Sequence, residues 1–197
     1  MSHANPPELI LASGSTHRRA LLERLGIPFR VVRPDFDEST FPSDGLSPRA
    51  LAEALAVGKA RSVWEREPGA IVIGSDQLAS LDGRILGKPG TFERAVAQLE
   101  AMSGRVHELI TAMVVVGPGG EFAHTDLSRL WMRRLYRPQI ERYVASDAPL
   151  DCAGSYKLEG RGVVLFDRIE TEDSTAITGL PLLALTRILE GFGLDLP

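Results

Sequence analysis

Short apolar, β-branched runs alternate along this chain with segments whose apolar residues recur at helical spacing. That alternation constrains the fold most, because it selects a mixed α/β architecture. "LILA" at Leu9–Ala12 and "AIVIG" at Ala70–Gly74 are too short for buried helices and read as buried strands. After the first, Ser15 caps a helix predicted to end at Gly26, with Ala20, Leu21, Leu22 and Leu25 as its apolar stripe. Phe29–Arg33 reads as a strand, and acidic Pro34–Asp44, with two prolines, as a loop. Ser47-Pro48 opens a helix to about Glu67, with proline in the first helical position. The run from Ala70 continues through "SDQLASL" to Asp82-Gly83, a two-residue hairpin signal.

The same reading places a helix from Thr91 to Met102 closed by Gly104, a strand at Leu109–Val116, a turn at "GPGGE" and a strand at Phe122–Leu135. It then places a short helix from Pro138 to about Ser146, a strand at Gly162–Ile169 and a last helix from Pro181 to Gly191. No segment is rich enough in Pro and Gly to be a linker, so residues 1–197 are expected to form a single domain, or two lobes sharing one core.

Charge and cysteine content narrow the class. A net charge of −4 argues against a nucleic-acid binder but leaves room for an anionic small molecule in a locally basic site. One cysteine, Cys152, rules out an internal disulfide and suits a reducing compartment. Met1–Glu8 lacks the pattern of a signal peptide, and no apolar run approaches the roughly 20 residues of a membrane span. The expectation is a cytoplasmic protein with no membrane partner.

The stretch "ILASGSTHRRALLERLG" places Arg18 and Arg19 in a first helical turn, where cations oppose the helix dipole. A bound anion would offset them, taking hydrogen bonds from free N–H groups and both guanidinium groups. The bland alternative is a solvated surface. Asp76 follows an apolar strand, where α/β sheets gather ligands, although a turn-bonding role explains a lone aspartate as well. Lys88 lies beyond the hairpin. A two-residue loop pairs it with Gln77, and a three-residue loop pairs it with Leu78 on the face of Asp76. "GRILGKP" is not a P-loop, since only three residues separate its glycines and Pro89 follows the lysine. Asp35, Asp37 and Glu38 in "PDFDES" could bind a hard cation or be a solvated acidic loop. Lys59 sits on an amphipathic helix, where a lysine is usually solvated, but beside Gly58, which costs roughly 1 kcal/mol against Ala there, so close packing or close ligand approach is a further reading. His107 and His124 have no partner at ligand spacing and read as strand residues. "DCAGSYKLEGRG" is glycine-dense and marks a loop, with Glu159 its informative acid. "ITGLPLLAL" reads as a structural turn before a helix.

Together these pieces resemble the Maf-type nucleoside triphosphate pyrophosphatases over nearly the whole chain: "LILASGSTHRRALLERLGIPF", "DFDES", "GKA", "GSDQ", "DGRILGKP", "MSGRVHELITAM", "DCAGSYKLEG" and "TGLPLLAL", in order. The resemblance implies an elongated mixed β-sheet flanked by helices, two lobes with a cleft between them, and metal-dependent hydrolysis of a nucleoside triphosphate to monophosphate and pyrophosphate. It maps a serine-arginine loop onto Ser13, Ser15, Arg18 and Arg19, and phosphate-facing lysines onto Lys59 and Lys88. It maps the catalytic aspartate onto Asp76, and a divalent cation, Mg²⁺ or Mn²⁺, onto Glu38 and Asp76. A homodimer is a family-level expectation.

Two branches of the family differ here. The dTTP/UTP branch reads Ala-Asp-Thr where this chain has Ser75-Asp76-Gln77, glutamine at Glu159 and lysine at Cys152. The 7-methyl-GTP branch carries "GSDQ" and "CAGS.K.EG", as here. A carboxylate offers two acceptors to guanine N1–H and N2–H, whereas a glutamine amide suits uracil or thymine. N7-methylation makes the base cationic, which favours Glu159 further. The chain departs from the family at Thr16, usually proline, and at His17, where the 7-methyl-GTP branch can place an aromatic. His17, Gln77 and Glu159 are therefore the expected specificity positions. The expected activity is house-cleaning hydrolysis of a modified nucleotide, 7-methyl-GTP, with two alternatives: a dTTP/UTP-type pyrophosphatase, or a non-catalytic nucleotide-binding regulator of septum formation.

Overall fold

A computed structural model describes residues 7–196. Residues 1–6, on which the expectation of no signal peptide partly rests, lie outside the described residues. Among the described residues the expected α/β architecture is present as a seven-stranded mixed sheet and five α-helices. The strands are β1 (Leu9–Ala12), β2 (Arg30–Val32), β3 (Ile71–Leu81), β4 (Arg84–Leu86), β5 (Val106–Gly117), β6 (Gly120–Met132) and β7 (Phe166–Glu170). Their order is β2-β1-β3-β5-β6-β7, with β4 paired to β3. The helices are α1 (Thr16–Glu23), α2 (Pro48–Trp64), α3 (Phe92–Met102), α4 (Arg137–Asp147) and α5 (Leu182–Gly191). None is long and apolar enough to cross a membrane among the described residues.

The chain divides into two compact units. The first comprises Met1–Asp76, Thr111–Asp126 and Asp173–Pro197, and the second Gln77–Ile110 and Leu127–Glu172. In the first unit β1 pairs in parallel with β2 and β3, in register Ala12↔Gly74. Alternation of side chains then sorts the core into two layers. Leu9, Leu11, Ile71 and Ile73 face one side and pack with Leu21 and Leu22 of α1 and Leu182, Leu185 and Leu189 of α5. Ile10, Ala12 and Val72 face the other side and pack with Val63 of α2. Both faces of β1 are covered, which is why it reads as an unbroken apolar run. Each fully buried aliphatic side chain of this kind contributes about 1.5–3 kcal/mol.

Capping follows the sequence closely. Ser15 Oγ accepts from Arg18 N, Ser47 Oγ from Ala50 N and Thr91 Oγ1 from Arg94 N. The helix α1 stops at Glu23, short of the expected Gly26, because a tighter turn closes it with Leu25 N–H on Leu22 O and Gly26 N–H on Glu23 O. The predicted strand Gly162–Ile169 forms only from Phe166 onward. Arg161–Leu165 is instead a 3₁₀ turn. Its carbonyls are taken by Arg133, whose backbone N–H donates to Leu165 O and whose Nη1 donates to Val164 O. A ladder is therefore unnecessary there.

In the second unit Asp82-Gly83 makes the expected two-residue hairpin, in register Leu81↔Arg84. Lys157 Nζ donates to the carbonyls of Asp147 and Ala148 at the C-terminal end of α4, where a cation complements the helix dipole. His107 lies on β5, and its Nε2 is 2.9 Å from Tyr156 Oη. Phe166 completes an aromatic cluster around it. Burial pulls the His107 imidazole down to about 4. It is thus neutral in the fold while its unfolded counterpart protonates near 6.5. The contribution of His107 is intact above pH 6.5 and is lost as pH falls from 6.5 towards 4, reaching roughly 3 kcal/mol. His107→Gln, which retains a polar atom for Tyr156, is expected to flatten that part of the stability profile. Denaturant midpoints of the two proteins between pH 7 and pH 4 check this. Parallel profiles would contradict it.

Candidate active site

The register of β1 on β3 positions the first group. Pairing ends at Ala12↔Gly74, so Ser75 and Asp76 lie just past the carboxyl end of β1. The chain turns there into Ser13–Ser15 and enters α1. Ser15 N–H donates to Ser13 Oγ at 3.1 Å, so both serines shape the turn. Because side chains alternate, Ser75 points to the α5 side and Asp76 to the α2 side.

Close packing sets the distance to α2. A Cβ at Gly74 would lie 2.5 Å from Ala56 O and 2.6 Å from Ala60 N, so only glycine lets the helix lie this near the strand. Lys59, next to Ala60, then reaches Asp76. Its Nζ is 2.5 Å from Asp76 Oδ1 and 2.9 Å from Glu38 Oε1. Lys59 and Asp76 are 6% and 5% exposed, whereas the Glu38 side chain is 53% exposed. Read from sequence alone, Lys59 is an ordinary solvated lysine; the fold makes it the cation shared by two carboxylates.

Asp76 carries the chemistry of the site. Its Oδ2 is buried with no hydrogen-bond partner among the described residues. Desolvation raises the Asp76 carboxyl above its ordinary range, opposed by the Lys59 ammonium and the more distant Arg18 guanidinium. A carboxylate held this way is an acceptor in wait for a donor or a cation.

Arg18 is partly buried and donates from Nε to Gly179 O at 2.9 Å. Burial pulls its guanidinium downward, while the charges of Asp76 and Glu38 act in the opposite sense. Ser75 Oγ donates to the same carbonyl at 2.9 Å. Sequence reading missed this acceptor, since a backbone oxygen has no residue signature. The one available signal was the glycine itself, because Gly179 has φ +112. The turn is fastened by Asp173, whose Oδ1 accepts from Thr175 N and Oγ1 and whose Oδ2 accepts from Leu183 N at the start of α5.

The other expected residues are placed differently. Arg19 is exposed and pairs with Glu23 one turn along at 2.9 Å, away from the cluster. His17 is also exposed on α1. In the second unit, pairing of β3 with β4 ends at Ala79↔Leu86, so the ladder stops before Gln77 and Lys88, and neither expected pairing of Lys88 forms. Lys88 and Glu159 are exposed, and Gln77 is partly buried.

No group of three or more His, Cys, Asp or Glu gathers to hold a metal ion among the described residues. Glu38 and Asp76 still suit a hard cation of the Mg²⁺ type. Such an ion commonly takes one or two carboxylates and completes its shell with water and substrate phosphates. The unpartnered Asp76 Oδ2 supplies an oxygen for it.

The profile of the Maf-like protein family matches residues 8–192. A 7-methyl-GTP pyrophosphatase of Xanthomonas axonopodis pv. citri (strain 306) is 53% identical over 97% of this chain and 100% of its own. A 7-methyl-GTP pyrophosphatase of Bdellovibrio bacteriovorus is 49% identical over 95% of this chain and 98% of its own. The solved structure of a HAM1 protein from Coxiella burnetii shares the fold, with a TM-score of 0.51 and 17% identity over 94% of this chain and 99% of that one. With the family profile matched from residue 8 to residue 192, the chain belongs to the Maf-like protein family.

Proposed function

We propose that this protein hydrolyses 7-methyl-GTP at the α–β phosphoanhydride, releasing the monophosphate and pyrophosphate. One observation carries the reading: a buried carboxylate, Asp76, held by Lys59 with its second oxygen unpartnered. The Asp76 carboxylate accepts the proton of a water whose oxygen bonds to the α-phosphorus, while the bond to the bridging oxygen breaks and pyrophosphate leaves. Ser13 and Ser15 keep hydroxyl protons to donate, since each oxygen is an acceptor in the turn. Arg18, fixed on Gly179, presents its remaining N–H groups to the phosphates. The surface pair of Arg19 with Glu23 is worth only a few tenths of a kcal/mol, so a phosphate can redirect Arg19. Lys59 and Lys88 stabilise charge growing on the leaving group. Glu38 and Asp76 would hold a divalent cation, Mg²⁺ or Mn²⁺, which when bound neutralises phosphate charge as a Lewis acid.

Base choice rests on Glu159, with His17 and Gln77 as its companions. The relatives at about half identity are named for 7-methyl-GTP, and Glu159 supplies the two acceptors that guanine needs. The test is pyrophosphate release from 7-methyl-GTP, GTP, dTTP and UTP with Mg²⁺ or Mn²⁺. 7-methyl-GTP is expected to lead. In Glu159→Gln the ratio of kcat/KM for 7-methyl-GTP to that for UTP should fall by about tenfold or more, the size of one mismatched hydrogen-bonding edge. An unchanged ratio would remove Glu159 from base recognition. Tight nucleotide binding with no metal-dependent pyrophosphate release would favour the regulator of septum formation instead. A homodimer and a cytoplasmic location belong to the same proposal.

A further inference from the structure

Glu38 is the weakest-held member of the ion cluster by location. It sits on a one-turn 3₁₀ helix, Glu38–Thr40, in an otherwise irregular loop joining β2 to α2. Its side chain is half-exposed, yet it reaches Lys59 at 2.9 Å. Two features hold the loop. Asp37 Oδ1 accepts from Ser39 N at 2.9 Å and from Ser39 Oγ, which shapes the turn but ties it to nothing outside. Phe36, two residues before Glu38, supplies the external tie.

The Phe36 ring lies directly on Gly58, inside α2. A Cβ built on Gly58 would fall 2.3 Å from Phe36 Cε2, 2.5 Å from Cζ and 2.9 Å from Cδ2. Phe41, on the far side of the turn, packs on the same ring at 5.8 Å between centroids. The seat is therefore one residue from Lys59, and the ring that fills it is two residues from Glu38. Glycine is an unfavourable residue inside a helix, and here the missing side chain is what admits the ring.

We propose that Phe36 seated on Gly58 is the positioning element that sets the Glu38 carboxylate on the Lys59 ammonium, and so completes the carboxylate pair offered to a divalent cation. The last clause rests on the functional reading above; the seating of the loop does not. Phe36 and Gly58 touch no reacting atom and act only through Glu38.

The test uses the full chain. Gly58→Ala fills the seat and displaces the ring while improving helix propensity, so the melting temperature should not fall. Two readouts should move. Hydrogen exchange at the Ser39 and Phe41 amides should quicken, and Mn²⁺ affinity measured without nucleotide should weaken about tenfold, as loss of an outer positioning contact does. Phe36→Ala should reproduce both changes. Adding Gly58→Ala to Phe36→Ala should then change neither, because the two substitutions remove one contact. Exchange and affinity both unchanged in Gly58→Ala would overturn the proposal, as would either moving alone or effects that add in the double variant. A wild-type protein that binds no Mn²⁺ would count against the metal assignment instead. Loop exchange in the three variants would then decide the role of Phe36 by itself.

Discussion

Asp76→Asn is expected to lower kcat for pyrophosphate release by about 10³-fold while nucleotide binding survives. General base catalysis contributes about 10²–10⁴-fold, and an amide cannot take the proton. Asn is nearly isosteric and keeps an acceptor for Lys59 Nζ, so the cluster should retain its shape. Stability supports the separation of fold from function. The Asp76 carboxyl is raised by burial, with Lys59 only partly compensating. A group whose folded value lies above its unfolded value stabilises the fold below the unfolded value, and that contribution is lost as pH rises through the folded value. Ionised Asp76 is therefore a net cost at neutral pH, of the kind that active sites carry. Glu38 still pairs with the Lys59 ammonium in Asp76→Asn, so the variant should lose little stability at pH 7.5. Single-turnover pyrophosphate release, binding of a nonhydrolysable analogue and a denaturation curve check the three parts. A variant with the parent's rate would remove Asp76 from the chemistry.

The fold was legible wherever a local signal coincided with its tertiary use. Leu9–Ala12 is buried on both faces, so its apolar run and its strand bounds agree. Ser47-Pro48 and Thr91 cap the helices they announce. Asp82-Gly83 makes the turn that its dipeptide predicts, in register Leu81↔Arg84. Gly162–Leu165 failed because its β-branched valines promise a strand, while the carbonyls of Val164 and Leu165 are taken by Arg133, distant in sequence. Propensity has no view of such a partner.

The candidate site was legible as residue types and opaque as geometry. The Ser15 cap and the first-turn position of Arg18 are local, and both could be read directly. Whether Gly58 marked close packing or a ligand was open, and the Phe36 ring decides for packing. Lys59 is the instructive case. Its neighbours in sequence suggest a solvated helix face, and only the approach of α2 to Gly74 turns it inward onto Asp76. The Gly179 carbonyl that fixes Arg18 and Ser75 has no side chain to announce it, and the sequence separation of 161 between Arg18 and Gly179 hides the contact.

Lys59→Met should have the largest effect on stability of any substitution in the cluster. Methionine matches the length of the buried stem and removes the charge. Asp76 then keeps its desolvation and loses the partner closest to it, while Glu38 is left half-exposed beside it. Breaking a buried pair from one side costs about 3–5 kcal/mol, because the remaining charge is uncompensated. Protonation of Asp76 is the escape. Its carboxyl, already raised, rises further without Lys59, so the destabilisation should be largest near pH 8 and shrink as pH falls through that raised value. Adding Asp76→Asn removes the stranded charge without a proton. The double variant should therefore be more stable than Lys59→Met alone at pH 8, with a coupling of the sign that distinguishes an ion pair from two independent contacts. Denaturant unfolding of the four proteins of this cycle, over a pH series from 8 down to 4, measures it. A loss that does not change across the series, or additive effects, would mean that Lys59 holds Asp76 by packing rather than by charge. Turnover would then have to be explained without the ammonium, since kcat/KM of Lys59→Met is expected to fall by about 10²-fold or more on loss of an electrostatic stabiliser.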